Sequence, residues 1–448
     1  MADVPEIQDA EDEAELDFSP RRGALVLALL MALYILSYVD RSILSLLIQP
    51  IKRDLGLSDT QVSLLVGAAF SIFYATTALP LGYVADRWNR RNLIAIAVAL
   101  WSVMTALGGI AHNYTLLFLT RMGVGLGEAA LAPAAYSMIS DIFPKRLLGR
   151  AMALFALSAS VGSGLALILG SFVVHLVGQA ETATLPGIGE TATWRAVLIV
   201  VGLPGLLLAA LMYLVTEPRR RGLTAVPASA SAPRRSALAF VRRNARVLLP
   251  LYFGLGSISI VYYGMLTWTP TLFLRRFGIA PADIALPLGL AFAIGGVAGM
   301  LAGGFWADRL WQRGVKDGYM RVIFYSAAGS LPFYTAMPLM PTPALVLAAL
   351  FGGAFCQGLQ SGLPAGSVQM ITPNDLRARV IAGCFLTVGL MGLGLGPTVV
   401  ALGVDLLFGE AGLGQAMALS NGIVLAAASL ILLAGLKPFR QAVAAPPA

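Results

Sequence analysis

The chain has 448 residues, 58% of them hydrophobic before its 48 glycines are counted, and only 12% charged. Soluble domains are about 45–50% apolar with glycine included and about 25% charged, so 31 basic and 23 acidic side chains are too few to cover a water-soluble body of this length. Despite a net charge of +8, this composition excludes a soluble enzyme, a disordered scaffold and a nucleic-acid binder, and leaves an integral membrane protein.

The first 17 residues hold eight acids and no base. A secretory signal needs a positive start and an apolar stretch, so residues 1–20 are expected to form a disordered, acidic cytoplasmic tail. A bilayer core about 30 Å thick needs about 20 apolar residues per spanning helix. Continuous apolar runs of that length fall at 23–48, 60–84, 92–111, 114–138, 149–177 and 195–215. A polar stretch at 217–246 follows, then six more runs at 247–273, 283–307, 320–340, 343–369, 379–407 and 414–436. The strands of an outer-membrane barrel would alternate over about ten residues, so these runs predict helices. The expected protein is all-α and polytopic, with twelve transmembrane helices (spans 1–12). An N-terminal half covers 21–216, a cytoplasmic linker 217–246, a C-terminal half 247–437 and a flexible tail 438–448.

Basic residues set the orientation. If the N-terminus is cytoplasmic, 24 of the 31 bases fall on that side, five on the other, and Arg41 and Arg121 lie within spans. Both termini are therefore expected in the cytoplasm. Twenty-seven arginines against four lysines fit a GC-rich bacterial genome, and hence the inner membrane.

The halves repeat. Gly82-Tyr83-Val84-Ala85-Asp86-Arg87 ends span 2, and Gly304-Phe305-Trp306-Ala307-Asp308-Arg309 ends span 8. Pro144 with Arg150 follows span 4, and Pro373 with Arg379 follows span 10. A repeated membrane half marks an alternating-access transporter with its site between the halves.

These features together resemble the major facilitator superfamily across nearly the whole chain. Several stretches are similar to its Spinster family of lipid-type transporters: Tyr38-Val39-Asp40-Arg41, Asp86 to Arg91 with Asn89, and the run from Arg121 through Gly123, Gly125 and Gly127 to Glu128. Val161 to Gly164 with Gly170-Ser171 extends the match through span 5. The resemblance implies a bacterial Spinster-type transporter with the major facilitator fold.

Asp40, Arg41, Arg121 and Glu128 are the charges deep inside predicted spans. Each costs about 2.5–3.5 kcal/mol at a helix centre, so each should face a cavity or a partner. Arg121 and Glu128 are seven apart, on one face and about 10 Å apart along the axis, too far to neutralise one another directly. Asp40 and Arg41 point about 100° apart, so at most one faces the cavity squarely. Burial favours a protonated carboxyl and a nearby arginine favours the carboxylate. Asp40 or Glu128 is thus read as a proton carrier, with Arg121 alternating between carboxylate and an anionic substrate, as the resemblance also implies. The plainer alternative is an Asp–Arg pair that only fastens span 1 to span 4.

Expected substrate contacts are Arg41, Arg121 and Glu128 on one wall, and Tyr262, Tyr263, Trp268, Gln357 and Gln360 on the other. An aromatic wall can equally be bundle packing. Gate and fold roles are assigned to Asp86, Arg87, Arg90, Arg91, Arg150, Asp308 and Arg309. Asp86 is expected to latch onto the N-terminus of span 11, and Asn89 to occupy a left-handed turn. The span 4 glycines suit close helix approach. They do not form a nucleotide loop, because no strand precedes them.

Cys356 and Cys384 read as buried hydrophobes, and His112 and His175 are given no role. No metal or organic cofactor is expected; the coupling ion is a proton. The expected partners are the bilayer and an amphipathic anion of lysophospholipid or sphingoid-phosphate type, bound by a monomer. The runner-up is a proton symporter for sugar acids or aromatic acids. An enzyme would need a nucleophile–base pair or metal cluster at depth. A sensor would need more than the linker around Pro227 to Pro233.

Overall fold

The computed structural model describes residues 19–177, 182–185, 189–218, 220, 236–373 and 376–444. The acidic N-terminal segment, most of the central linker and the last four residues lie outside this set. The described chain forms twelve helical spans in two halves of six. Nine segments among them are long and apolar enough to cross a bilayer, and Lys145–Val177, Gly318–Ala336 and the broken span starting at Pro343 complete the twelve.

Span 1, Pro20–Leu55, starts on the Ser19 cap with proline in its first turn, and stops at Gly56 in the left-handed region (φ 63°). At about 1.5 Å per residue its 36 residues outrun the hydrocarbon core. Four other spans are interrupted, two at prolines and two where spans 2 and 11 pack against one another. Span 2 breaks between Asp59–Val66 and Ala68–Ala85 at Gly67, where a Cβ would lie 2.6 Å from the Leu393 carbonyl oxygen of span 11. Span 4 breaks between Tyr114–Glu128 and Leu131–Ile142, four residues ahead of Pro133. Span 10 breaks between Pro343–Gly358 and Pro364–Ile371. Proline has no N–H and collides with the carbonyl four residues back. Pro133 and Pro364 thus impose the same kink in both halves. Span 11 runs from Arg377–Gly389 through a π-helical turn, Leu390–Leu395, into Gly396–Gly403.

Three findings depart from the sequence reading. A short antiparallel hairpin, Thr182–Leu185 with Gly189–Ala192, joins spans 5 and 6. Span 12 continues through Ala444, past the expected boundary at 437, because Phe439 is fully buried and Arg440 is bound by Asp317. Asn89 is extended (φ −64°, ψ 113°), not left-handed: it caps span 3, Arg90–Gly108, by accepting from the Asn92 N–H at 2.8 Å. A cap needs extended backbone.

The halves meet along three seams: span 1 on span 7 (Ala245–Phe277), span 5 on span 8 (Pro281–Gln312), and span 2 on the π turn of span 11. Exposed Leu25, Leu214, Leu301 and Phe305 face outward as a lipid-contacting surface requires.

Candidate functional site

Spans 1 and 4 bring the four deep charges together. Arg41 donates from Nε to Glu128 Oε2 at 2.6 Å, and its Nη2 lies 2.6 Å from the same oxygen. Three rings surround that guanidinium, with centroids 5.2 Å away for Tyr38, 4.8 Å for Phe70 and 4.9 Å for Tyr74. Asp40, about 100° further round the helix, makes no ion pair among the described residues, and its Oδ1 has no hydrogen-bond partner there. Asp40, Arg121 and Glu128 are all nearly fully buried. Among the described residues, Asp40 Oδ1, Glu128 Oε1 and all three Arg121 nitrogens have no hydrogen-bond partner. The cluster is thus only partly satisfied.

Phe70 of span 2 sits between the two arginines, 4.8 Å from the Arg41 guanidinium and 5.9 Å from that of Arg121. Gly125 of span 4 admits it there, since a Cβ at that position would lie 2.4 Å from the Phe70 carbonyl oxygen. Sequence reading missed Phe70 and Tyr74, which nothing in an apolar span sets apart.

A cavity of about 370 Å³ opens beside the cluster. Its wall comes mostly from the second half, including Tyr262, Tyr263, Gln357, Gln360 and Ser361, with Tyr38 from the first half. Among the described residues, no charged side chain lines it. Tyr38 and Tyr263 also line a smaller neighbouring cavity that contains Arg41. The two tyrosines therefore stand between the neutral cavity and the arginine.

Two expected contacts change. Trp268 is fully buried and lines neither cavity; its indole N–H donates to the Pro397 carbonyl at 2.8 Å, tying span 7 to span 11. Arg121 and Glu128 lie behind the cavities, so Arg41 is the charge at the cavity wall. Gln357 lines the cavity, with its amide donating to the Ile258 carbonyl at 3.0 Å.

The two ends of the bundle differ. At the end bearing the termini, Arg90 is buried and binds Asp141, Glu217 (2.8 Å), Ser137 Oγ (2.9 Å) and the Pro218 carbonyl (3.0 Å). The Arg91 backbone N–H donates to the other Glu217 oxygen at 2.8 Å, and Arg87 stacks on Tyr83. Asp308 accepts from the Tyr319 hydroxyl at 2.9 Å, while Arg150 and Arg309 are exposed. Asp86 is exposed and its carboxylate has no hydrogen bond or ion pair among the described residues. The expected latch to span 11 is therefore not formed in this state.

At the opposite end, hydrogen bonds and ion pairs join the halves. Buried Asp59 of span 2 accepts from Arg275 of span 7 at 2.7 and 2.8 Å and from Lys52 at 2.7 Å. Lys52 also pairs with Glu410, and Asp405 accepts from the Thr60 N–H at 2.8 Å. Ser171 donates to the Ala282 carbonyl, and His175 lies 3.2 Å from Asp283. Sequence reading counted Lys52 and Arg275 only for orientation. The sparse acids on that face were the available signal.

The Major Facilitator Superfamily family model matches residues 30–397. The chain belongs to this superfamily. It is 31% identical over 294 residues to an MFS-type efflux pump of Mycolicibacterium smegmatis, covering 66% of this chain and 64% of the pump. The matched region thus spans just under two thirds of that relative. It is 29% identical over 346 residues to a probable L-galactonate transporter of Escherichia coli, covering 72% of each. Among solved structures, it resembles a bacterial homologue of the human lysosomal transporter Spinster in an inward-facing, unoccupied conformation. That match has 25% identity and a TM-score of 0.77, and covers 95% of this chain and 98% of the other. The chain is a polytopic member of the major facilitator superfamily with the fold of that Spinster homologue, and its neutral cavity meets the charge cluster at Arg41, where the two halves adjoin.

Proposed function

We propose that this protein is a proton-coupled secondary transporter of the inner membrane that moves an amphipathic anion, of lysophospholipid or sphingoid-phosphate type, unchanged and as a monomer. Both termini are cytoplasmic, following the 24 bases on their side. The observation that carries the reading is a buried, partly satisfied charge cluster that meets a neutral aromatic cavity at Arg41. The anionic head binds Arg41, displacing Glu128, and the uncharged remainder fills the cavity beyond Tyr38 and Tyr263. A carboxylate that loses its arginine in a low-dielectric interior takes up a proton instead. Asp40 and Glu128 are the two carboxylates of this buried cluster available to carry the proton, and Arg121 is the second cation beside them. Rocking of the halves then exposes the site to the other side.

The test is uptake of a lysolipid panel into acid-loaded and neutral proteoliposomes, with Glu128→Gln and Arg121→Ala as controls. Because substrate and proton are carried together, an acid interior should slow uptake by the parent protein, and Glu128→Gln should lose that dependence. Equal rates with and without the gradient would remove the proton from the mechanism.

A second reading is a proton symporter for small organic anions. It draws support from the similarity to the probable L-galactonate transporter and from the polar Gln360 and Ser361 on the cavity wall. Acyl-chain length separates the two: competition independent of chain length favours the small anion.

A further inference from the structure

Span 8 carries glycines on two faces, and only one face is explained by packing. At Gly299 and Gly303 an added Cβ would lie 2.0 and 1.9 Å from the carbonyl oxygens of Phe355 and Leu359, so span 10 requires both glycines. Gly296 is different. It lines the large cavity, and a Cβ there would meet nothing within 4 Å. In a helix interior glycine is about 0.8–1.0 kcal/mol less favourable than alanine. Neither packing nor turn geometry requires the glycine, because alanine would fit in the helical backbone. What the missing side chain provides is open wall in a cavity.

We propose that Gly296 sets the bulk limit for the uncharged part of the substrate. The inference rests on the reading that this cavity receives substrate. Its chemistry follows from the lining: among the described residues no charged side chain faces the cavity, and Arg41 lies beyond Tyr38 and Tyr263. The portion beside Gly296 is therefore the uncharged, acyl or aryl, end of an anion. Phe292 and Met300, on the same span and the same cavity wall, bound the open patch. Side chains added at 296 should shorten the accommodated group without touching recognition of the head.

The experiment is transport by full-length protein carrying Gly296→Ala, Gly296→Val or Gly296→Phe. Substrates are lysophosphatidylglycerols with short, medium and long acyl chains, together with a six-carbon sugar acid. Gly296→Ala should transport all of them like the parent. Forcing bulk into an occupied site costs about 1–3 kcal/mol. Gly296→Phe should therefore slow the longest chain by about five- to 150-fold, and leave the sugar acid within about twofold of the parent. A uniform slowing of every substrate, or none at all, overturns the proposal. Arg41→Gln separates this from the parent reading, because it should slow all substrates alike. If Arg41→Gln has no effect while the Gly296 series is selective, anion recognition by Arg41 falls and the bulk limit stands. Folding is checked independently: Gly296→Cys in a Cys356→Ser, Cys384→Ser background should react with a small thiol reagent and be protected by the longest lysolipid. An unreactive cysteine at 296 in monodisperse protein would show that the position does not open into the cavity, and would overturn the proposal.

Discussion

Glu128 accepts both contacts from Arg41 through a single oxygen, Oε2, while Oε1 has no hydrogen-bond partner among the described residues. Such a pair is costly to break and inexpensive to replace. Removing one member of a buried ion pair costs about 3–5 kcal/mol, because the remaining charge stays buried alone. Arg41→Gln should show this in full. Glu128→Gln should cost less, since Arg41 keeps three ring faces within about 5 Å. The double variant should recover most of the loss. Melting temperatures of the two singles and the double, in one detergent, form the cycle; strictly additive losses would mean that the two side chains do not act as a pair.

The four deep charges were legible in the sequence because charge at depth is anomalous in a chain that is 12% charged. Their pairing was not: a sequence gives 100° per residue but not the rotation of span 1 about its axis, which sends Arg41 rather than Asp40 to Glu128. Trp268 was misread for the same reason, since its span presents polar and aromatic groups on more than one face. Phe70 and Tyr74 carried no signal, because aromatic side chains are ordinary in an apolar helix.

At the level of elements, twelve apolar runs, the polar interruption after the sixth and the repeated span ends were all visible, since each is a feature of one continuous stretch. The kinks at Pro133 and Pro364 follow from local chemistry and could have been read as a third repeat signal. The π turn in span 11 could not, because it depends on what packs against it from span 2. The end of span 12 depends in the same way on a distant partner. Asp317, buried ahead of span 9, accepts from Arg321 at 3.0 Å and from Arg440 at 2.8 and 3.1 Å, pinning the last helical turns to the loop before span 9. Burial alone would raise the Asp317 carboxyl, but the hydrogen bonds from Arg440 and Arg321 outweigh it and hold the group below its ordinary 3.8. A depressed carboxyl stabilises the fold in full above its ordinary value and loses that contribution as pH falls through the folded value. Protection against hydrogen exchange in the last turns of span 12, measured relative to the intrinsic exchange rate at each pH, should therefore be high at neutral pH and fall below about pH 4. Asp317→Asn should show low protection at both pH values, a loss of about 1–3 kcal/mol at neutral pH. A pH step that survives in Asp317→Asn would assign the effect to another group.

For the whole molecule, composition pointed to an integral membrane protein and the repeated span ends to two similar halves, but the conformational state lies in contacts between residues far apart in the chain. Lys52 and Glu410 are 358 positions apart, and Asp59 and Arg275 are 216 apart. In the proposed orientation this cluster is on the outer face, where it joins the two halves, while Asp86 at the end bearing the termini is unpaired among the described residues. Asp59 anchors the cluster: it is fully buried, and it accepts from a base of each half, Lys52 of the first and Arg275 of the second. Asp59→Asn removes the charge that both bases share, with little change in shape, and should shift the balance toward a state open to the outside. Ser63, buried one turn inward and hydrogen-bonded to Thr398 across the halves, reports that opening. In a Cys356→Ser, Cys384→Ser background, Ser63→Cys should react slowly with a membrane-impermeant thiol reagent added outside. Adding Asp59→Asn should raise its rate about tenfold, the effect of a shift of about 1.4 kcal/mol. Arg275→Gln should act in the same direction, because it removes the cross-half member of the same cluster. If the cysteine at 63 reacts at one rate in all three backgrounds, the ion pairs at the outer face do not hold it closed, and apolar contact along the seams alone must do so.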